Sequence, residues 1–314
     1  MTEDPNRRSL LAFWQPRFWP QWLGLGLLRL VVCLPFPLQC RIGRMLGRIA
    51  GMVLRERREI ARVNLALCFP GLDEGSRANL LDRYFESLGL QAIEFGLGWW
   101  ASDRLIRSLM RIEGLEHYHA ARADGRGIIF LSGHFSAIEF TGRILRLEGV
   151  TLAGLYRPNR NPLSDELLRR SRLRSCVDLI PKDNMRKVVR RLAQGVSIWY
   201  APDQSYRRRY SVLIPFFGVP AMTNAALTEI ARIGKARVMP FSAQRLPDDA
   251  GYVVRFEPAF DDFPTGDMEA DARRVTSWLE ERIREAPEQY FWIHRRFKGR
   301  PPEYDDPYRD TAGA

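Results

Sequence analysis

Lysine is almost missing from this chain: of 48 basic residues only Lys182, Lys187, Lys235 and Lys298 are lysine, and the rest are arginine. Genomic composition bias produces such a ratio, but it does not produce the formal net charge of +11. Arginine presents a planar fork that grips phosphate or carboxylate oxygens in pairs, so the surface suits an anionic partner: nucleic acid, anionic lipid or an acidic carrier protein. Cysteine is scarce too. Cys33, Cys40, Cys68 and Cys176 are widely spread with no CxxC pair, which argues against a disulfide framework or a zinc site and for a reducing compartment. Among the few histidines, His117 and His119 form a spaced pair with no partners at metal-ligand spacing, so neither a metal nor another cofactor is expected. A GxSxG nucleophile elbow is lacking, as is a cysteine near a histidine, which counts against a covalent acyl-enzyme. Internal repeats and low-complexity segments are also missing. What remains, 46% apolar and 27% charged residues, excludes a disordered chain and a polytopic membrane protein.

A long clean apolar run is lacking as well. The nearest candidate, Trp22 to Cys40, has roughly the 20 residues needed to cross a bilayer, but Arg29 lies inside it and Pro35 and Pro37 interrupt it. A crossing helix, a tilted or shallowly inserted one and a buried helix of a soluble domain all stay open. Trp14, Trp19 and Trp22 suit an interfacial belt, and the arginines from Arg41 to Arg58 place the following chain on the cytoplasmic side. Residues 1–50 are therefore read as a membrane-associated helical segment and 51–314 as the catalytic domain.

Within that domain, helical spacing over 51–101, broken at Pro70-Gly71, predicts a helical hairpin. After Gly114, short apolar runs at 127–134, 150–157, 196–203 and 236–243 alternate with helical stretches at 136–148, 162–175, 183–194 and 222–234. A strand at 252–260 and a helix at 268–286 follow. This alternation predicts an α/β core over about 112–300, with a mostly parallel sheet flanked by helices and functional residues at the strands' carboxyl ends.

The chemistry concentrates in Ser132-Gly-His-Phe-Ser-Ala-Ile-Glu139, directly after a buried strand. Five steps along a regular helix would set His134 and Glu139 about 140° apart. They meet only if His134 lies on the loop before the helix and Glu139 in its first turns. A carboxylate held against an imidazole makes a general base for an alcohol. Tyr156-Arg-Pro-Asn-Arg160 brings Arg157 and Arg160 to the same sheet edge, and Trp199-Tyr-Ala-Pro-Asp203 brings Asp203. Arg172 and Arg174 in Arg-Leu-Arg-Ser offer a clamp for phosphate or a developing oxyanion. Tyr290-Phe-Trp-Ile-His-Arg-Arg-Phe-Lys298 reads either as an amphipathic lip carrying a protonatable His294 or as a packed strand with a solvated basic end. Val212 to Thr223 reads as core or as the lining of an acyl groove.

Taken together, the histidine-x4-glutamate motif, YRPNRNPL, RLRS, WYAPDQSY, IPFFGVPAMT, APEQYFWIHRRFKGRP and VNLALCFPGL at 63–72 resemble the late acyltransferases of lipid A biosynthesis, within the wider lysophospholipid acyltransferase superfamily. The resemblance spans almost the whole chain. It implies transfer of a fatty acyl group from acyl carrier protein to a hydroxyl of Kdo2-lipid IVA or its monoacylated product, at the cytoplasmic face of the inner membrane, with membrane lipids and no nucleic acid as further partners. It makes His134 the base and Glu139 its orienting partner, with Arg172 and Asp203 as further polar positions of the family; together with Arg157 and Arg174, read from the residues themselves, these are expected to bind substrate. The run Gln204-Ser205-Tyr206-Arg207 departs from the pattern of the lauroyl enzymes at this point. Alternatives are an acyltransferase acting on another phospholipid or phosphoglycolipid, a thioesterase, and a noncatalytic binder of anionic lipid.

Overall fold

The computed structural model describes residues 8–207, 209–309 and 311; the side chains of residues 138–140 lie outside that description. The chain enters through α1 (Trp19–Val32) and α2 (Phe36–Val53), separated at Cys33 and Pro35, then α3 (Arg55–Cys68), α4 (Glu74–Trp100) and α5 (Asp103–Leu109). The apolar stretch 22–40 is thus split between two helices. At 1.5 Å per residue, α1 spans about 21 Å, short of a hydrocarbon core, and none of the described helices is long and apolar enough to cross a membrane. Arg29, inside that stretch, lies over the ring of Trp100 at 5.9 Å.

A seven-stranded sheet follows, built from β1 (Met110–Glu113), β2 (Ile128–Leu131), β3 (Leu152–Tyr156), β4 (Asp178–Pro181), β5 (Ser197–Tyr200), β8 (Arg237–Arg245) and β9 (Tyr252–Phe256), in the order β1-β9-β8-β2-β5-β3-β4. All pairings are parallel except β8 with β9. The expected α/β class with a mostly parallel sheet holds. Helices α6 (Leu115–Arg122), α7 (Ile138–Leu147), α8 (Pro162–Arg172), α9 (Met185–Ala193), α10 (Ala226–Gly234) and α11 (Met268–Glu285) cover its faces, leaving two large buried clusters, one against each side. The central Ile128-Ile-Phe-Leu131 is fully buried because both faces of β2 are covered. Val212 to Thr223, read from sequence as one apolar run, lies instead in a hairpin of β6 (Ser211–Phe216) and β7 (Val219–Asn224), turning at Phe217 and Gly218, both at positive φ.

One contact holds the helical half together and a second fixes it on the sheet. Gly43, Gly47 and Gly89 let α2 and α4 touch backbone to backbone; a Cβ on Gly47 would collide with the Phe85 carbonyl, and one on Gly89 with the Gly43 carbonyl. The second is a buried ion pair: Arg245 at the end of β8 donates to Glu94 of α4 at 2.8 Å and to Ser87 at 3.1 Å, with side-chain exposures of 8% and 2% for the pair. Gln289 brackets the Arg245 backbone from the other side, accepting its N–H at 2.7 Å and donating to its carbonyl at 3.0 Å. Removing Glu94 strands a guanidinium in the interior, so Glu94→Ala is expected to lower stability by about 3–5 kcal/mol in denaturant titration. A loss under about 1 kcal/mol would mean that the pair is solvated.

Candidate active site

Two neighbouring parallel strands deliver the central groups. β2 ends at Leu131, and Gly133 makes the turn where any Cβ would press on Leu279 and Phe135. His134 therefore sits on the loop, with α7 beginning four residues later and Glu139 as its second residue. That backbone arrangement is the one the spacing requires; the Glu139 side chain lies outside the described residues. β5, hydrogen-bonded beside β2 in parallel, ends at Tyr200 and carries Asp203 three residues beyond. The Ser132 N–H donates to the Tyr200 carbonyl at 3.0 Å, continuing the ladder into the loops.

Asp203 approaches His134 twice. Its Oδ1 lies 2.6 Å from His134 Nδ1, and its Oδ2 accepts the His134 backbone N–H at 2.8 Å. The sequence sets Asp203 among the substrate-binding residues, and the structure places it against the imidazole, with a side chain 1% exposed and both oxygens engaged by His134. A carboxylate in that position can orient the ring. Nε2 carries no hydrogen bond among the described residues, and the imidazole is 33% exposed. The edge of Trp199 at 5.7 Å and the ring of Phe291 at 6.4 Å flank it.

Burial works against the charged imidazole, yet the charge and hydrogen bond of Asp203 outweigh it and raise His134 above the ordinary histidine value, while nearby Arg172 pulls the other way. Burial likewise opposes the Asp203 carboxylate, but His134 and the backbone N–H hold its pKa below the ordinary range. The pair is a histidine poised to accept a proton at Nε2 while an adjacent carboxylate stabilises the imidazolium that results.

Of the expected arginines, the structure brings Arg172 to this pair. It closes α8, reaches the Leu155 carbonyl at 3.5 Å and lines the cleft beside His134. Arg157 and Arg160 stand exposed just past the end of β3, at the same sheet edge. Arg174 is exposed and turned onto α4, donating to the Trp99 carbonyl at 2.5 Å. His294 does not join the cations: burial, with Lys298 and Arg296 nearby, drives its pKa down to about 4, and its Nε2 accepts the Ser205 N–H at 3.1 Å. The segment 290–298 is neither a strand nor a solvated lip. Tyr290, Trp292, Arg296 and Phe297 are buried, and Asn64 of α3 holds the Trp292 and His294 carbonyls at 2.6 and 2.8 Å. No cluster of three metal-ligating side chains occurs among the described residues.

Next to the residues that flank the pair opens an apolar cleft, which encloses about 770 Å³ when the open solvent at its mouth is included. Ser132, Phe135, Trp199 and Arg172 line it together with Gly142 and Leu145 of α7, Gly154 of β3, Cys176 and Phe241. Sequence reading missed this cleft. Its lining comes from five helices and strands, α7, β3, α8, β5 and β8, and from the loops after β2 and α8, and the one legible signal was the pair of glycines, Gly142 and Gly154, where a longer side chain would fill it.

The known proteins that this chain matches are acyltransferases. It is 38% identical over 302 residues to the lipid A biosynthesis lauroyltransferase of Escherichia coli (strain K12), covering 96% of this chain and 98% of that protein. It is 38% identical to the lipid A biosynthesis palmitoleoyltransferase of the same strain, at 95% and 97% coverage. A lipid A biosynthesis acyltransferase of Haemophilus influenzae matches at 36%, with 93% and 94% covered. A solved 1-acyl-sn-glycerophosphate acyltransferase from Thermotoga maritima aligns over 74% of this chain and 99% of its own, at 15% identity and a TM-score of 0.38. The chain is an acyltransferase. With residues 8–299 matched by the family model, it belongs to the bacterial lipid A biosynthesis acyltransferases.

Proposed function

We propose that the protein transfers a fatty acyl chain from acyl carrier protein to a hydroxyl of Kdo2-lipid IVA or of its monoacylated product. His134 Nε2 takes the proton of the acceptor hydroxyl as its oxygen attacks the thioester carbonyl. The tetrahedral intermediate then collapses, expels the thiolate and leaves the acyl group on oxygen as an ester; the imidazolium returns its proton to the thiolate. Asp203 holds Nδ1 and balances the imidazolium charge, and Arg172, whose charge acts on the imidazole, serves the developing oxyanion or an acceptor phosphate. Glu139, read from the sequence as the imidazole's orienting partner, stands second in α7, five residues after His134. The single observation that carries this reading is the His134–Asp203 pair, whose neighbours Ser132, Phe135 and Trp199 line an apolar cleft.

In this reading the cleft takes the acyl chain, each buried methylene contributing about 0.8 kcal/mol. Gly142→Leu fills its wall, and the products are expected to shift to shorter chains; an unchanged chain-length profile would place the acyl group elsewhere.

The inner membrane, with the catalytic domain on its cytoplasmic side, is the proposed location. What supports it is the outer face of α1 and α2, where Trp19, Leu23, Leu27 and Leu30 are exposed in one stripe and Met45, Ile49, Met52 and Val53 in a second. Such a surface exceeds what a water-soluble monomer leaves open, and it suits a helix pair lying in one leaflet, with Arg55 and Arg57 toward anionic headgroups. Leu23→Glu with Leu27→Glu and Leu30→Glu is expected to move the protein from vesicles to the supernatant in flotation. Retention of all the protein on the vesicles would assign anchoring to another surface.

The function is tested by incubating the protein with Kdo2-lipid IVA and acyl groups carried either on acyl carrier protein or on coenzyme A. Mass spectrometry should find one added chain with the carrier-protein donors. A gain only on other phospholipids would change the acceptor, and free fatty acid as the sole product would make the protein a thioesterase.

A further inference from the structure

We propose that Arg296 is a positioning residue of the catalytic pair: its buried guanidinium, which shares a small cavity with Asp203 and His134, holds Asp203 as the carboxylate that fixes the imidazole. The inference rests on the reading of His134 as a general base.

The problem that Arg296 answers is one of charge. To act as a base His134 must be neutral, and in that state Asp203 is a buried anion whose hydrogen-bonding partner carries no charge. A buried charge without an opposite charge is strongly disfavoured, and the usual escape is protonation. Protonated Asp203 would donate to Nδ1 or release it, and the tautomer would no longer be fixed. Some other cation must compensate.

Arg296 is in the complementary position. It is 3% exposed, and among the described residues it has no carboxylate within ion-pairing distance. Its Nη1 donates to the Met222 carbonyl at 2.9 Å and Nη2 to Thr223 Oγ1 at 2.7 Å, its guanidinium lies 4.8 Å over the Phe216 ring, and Nε has no hydrogen-bond partner. Neutral oxygens and a ring do not balance a full charge. The cavity joining it to Asp203 and His134 is otherwise walled by groups without charge, Asn64, Gln204, Tyr290 and the neutral His294 among them.

Burial works against the Arg296 charge, and of the groups that act on it Asp203 is the one ionised at neutral pH, the hydroxyls of Tyr290 and Tyr308 and the thiol of Cys68 being held protonated by their burial. The other cations nearby belong to other walls: Arg172 acts on His134, and Lys298 on His294. Asp203 and Arg296 are thus a buried anion and a buried cation that compensate one another at a distance, leaving both Asp203 oxygens for His134.

The test titrates the His134 ring in full-length, histidine-labelled protein by nuclear magnetic resonance, its signal identified by loss in His134→Ala, beside the pH profile of kcat. Removing a nearby positive charge favours imidazolium. Arg296→Gln is therefore expected to move both the ring titration and the acid limb of kcat to higher pH by about one unit, with KM for the acceptor nearly unchanged. Thr223→Val, which removes the same hydrogen bond and keeps the charge, should move neither. Arg296→Lys should stay near the parent in both readouts even where its Tm falls, and it decides the matter if the Gln variant does not fold.

An unmoved titration in Arg296→Gln, an equal shift in Thr223→Val, or a Lys variant with a displaced titration or lost activity would each overturn the proposal and leave Arg296 a structural tie. If the parent transfers no acyl group, the proposed function fails, while the ring titration still decides the role of Arg296.

Discussion

Replacing His134 with alanine is expected to lower acyl transfer about 10²-fold to 10⁴-fold, the usual contribution of a general base, while binding of the acyl donor changes little. The imidazole is partly exposed with Nδ1 engaged by Asp203, so Nε2 is the nitrogen left for the hydroxyl. The pH profile follows with a definite sign. Because His134 is raised above its ordinary value of about 6.5, the neutral base form fills only above that value, and kcat should climb through it as pH rises. The stabilisation that the pair gives to the folded state runs the other way. On the His134 side it is fully present below the ordinary imidazole value and is lost as pH rises through the raised one. On the Asp203 side, where the pKa is lowered, it is present above the ordinary carboxylate value and is lost on acidification through the lowered one. An acid limb at or below the ordinary imidazole value would remove His134 as the titrating base.

The second large effect is expected from Asp203→Asn, a near-isosteric change. Asparagine can still accept the His134 backbone N–H, but its amide then presents a donor to Nδ1. That drives the ring proton onto Nε2 and leaves no lone pair for the acceptor hydroxyl. Turnover should fall on the order of 10²-fold to 10⁴-fold with little change in KM or Tm. Glu139→Gln is expected to reduce kcat by less. The comparison is decisive between the two acids: a mild Asp203→Asn beside a crippled Glu139→Gln would make Glu139 the partner of the imidazole.

These two predictions show where the sequence was legible. The strand that ends in Ser132-Gly133 and the position of His134 on a loop before a helix follow from short-range rules, namely a buried apolar run, a glycine turn and a five-residue spacing. The parallel sheet follows from the alternation of elements, and with it the arrival of His134 and Asp203 at one edge. The pairing of those two residues does not. Glu139 is near in sequence, whereas Asp203 reaches His134 because β5 lies beside β2, a strand order that local periodicity does not encode. The same holds for 290–298, whose aromatics and arginines suggest an amphipathic surface. Its burial depends on Asn64 far upstream gripping two of its carbonyls. The apolar stretch 22–40 was legible in composition but not in shape, since the break at Pro35 turns one long hydrophobic run into two short helices with a common exposed face.

The most direct test of the central claim is the mass of the lipid acceptor after incubation with acyl-loaded carrier protein, comparing the parent chain with His134→Ala at matched concentration and folded content. The account predicts one added acyl chain with the parent and, over the same interval, almost none with the variant. Equal acylation by both would contradict it, because the acceptor hydroxyl would then be losing its proton to a group other than His134.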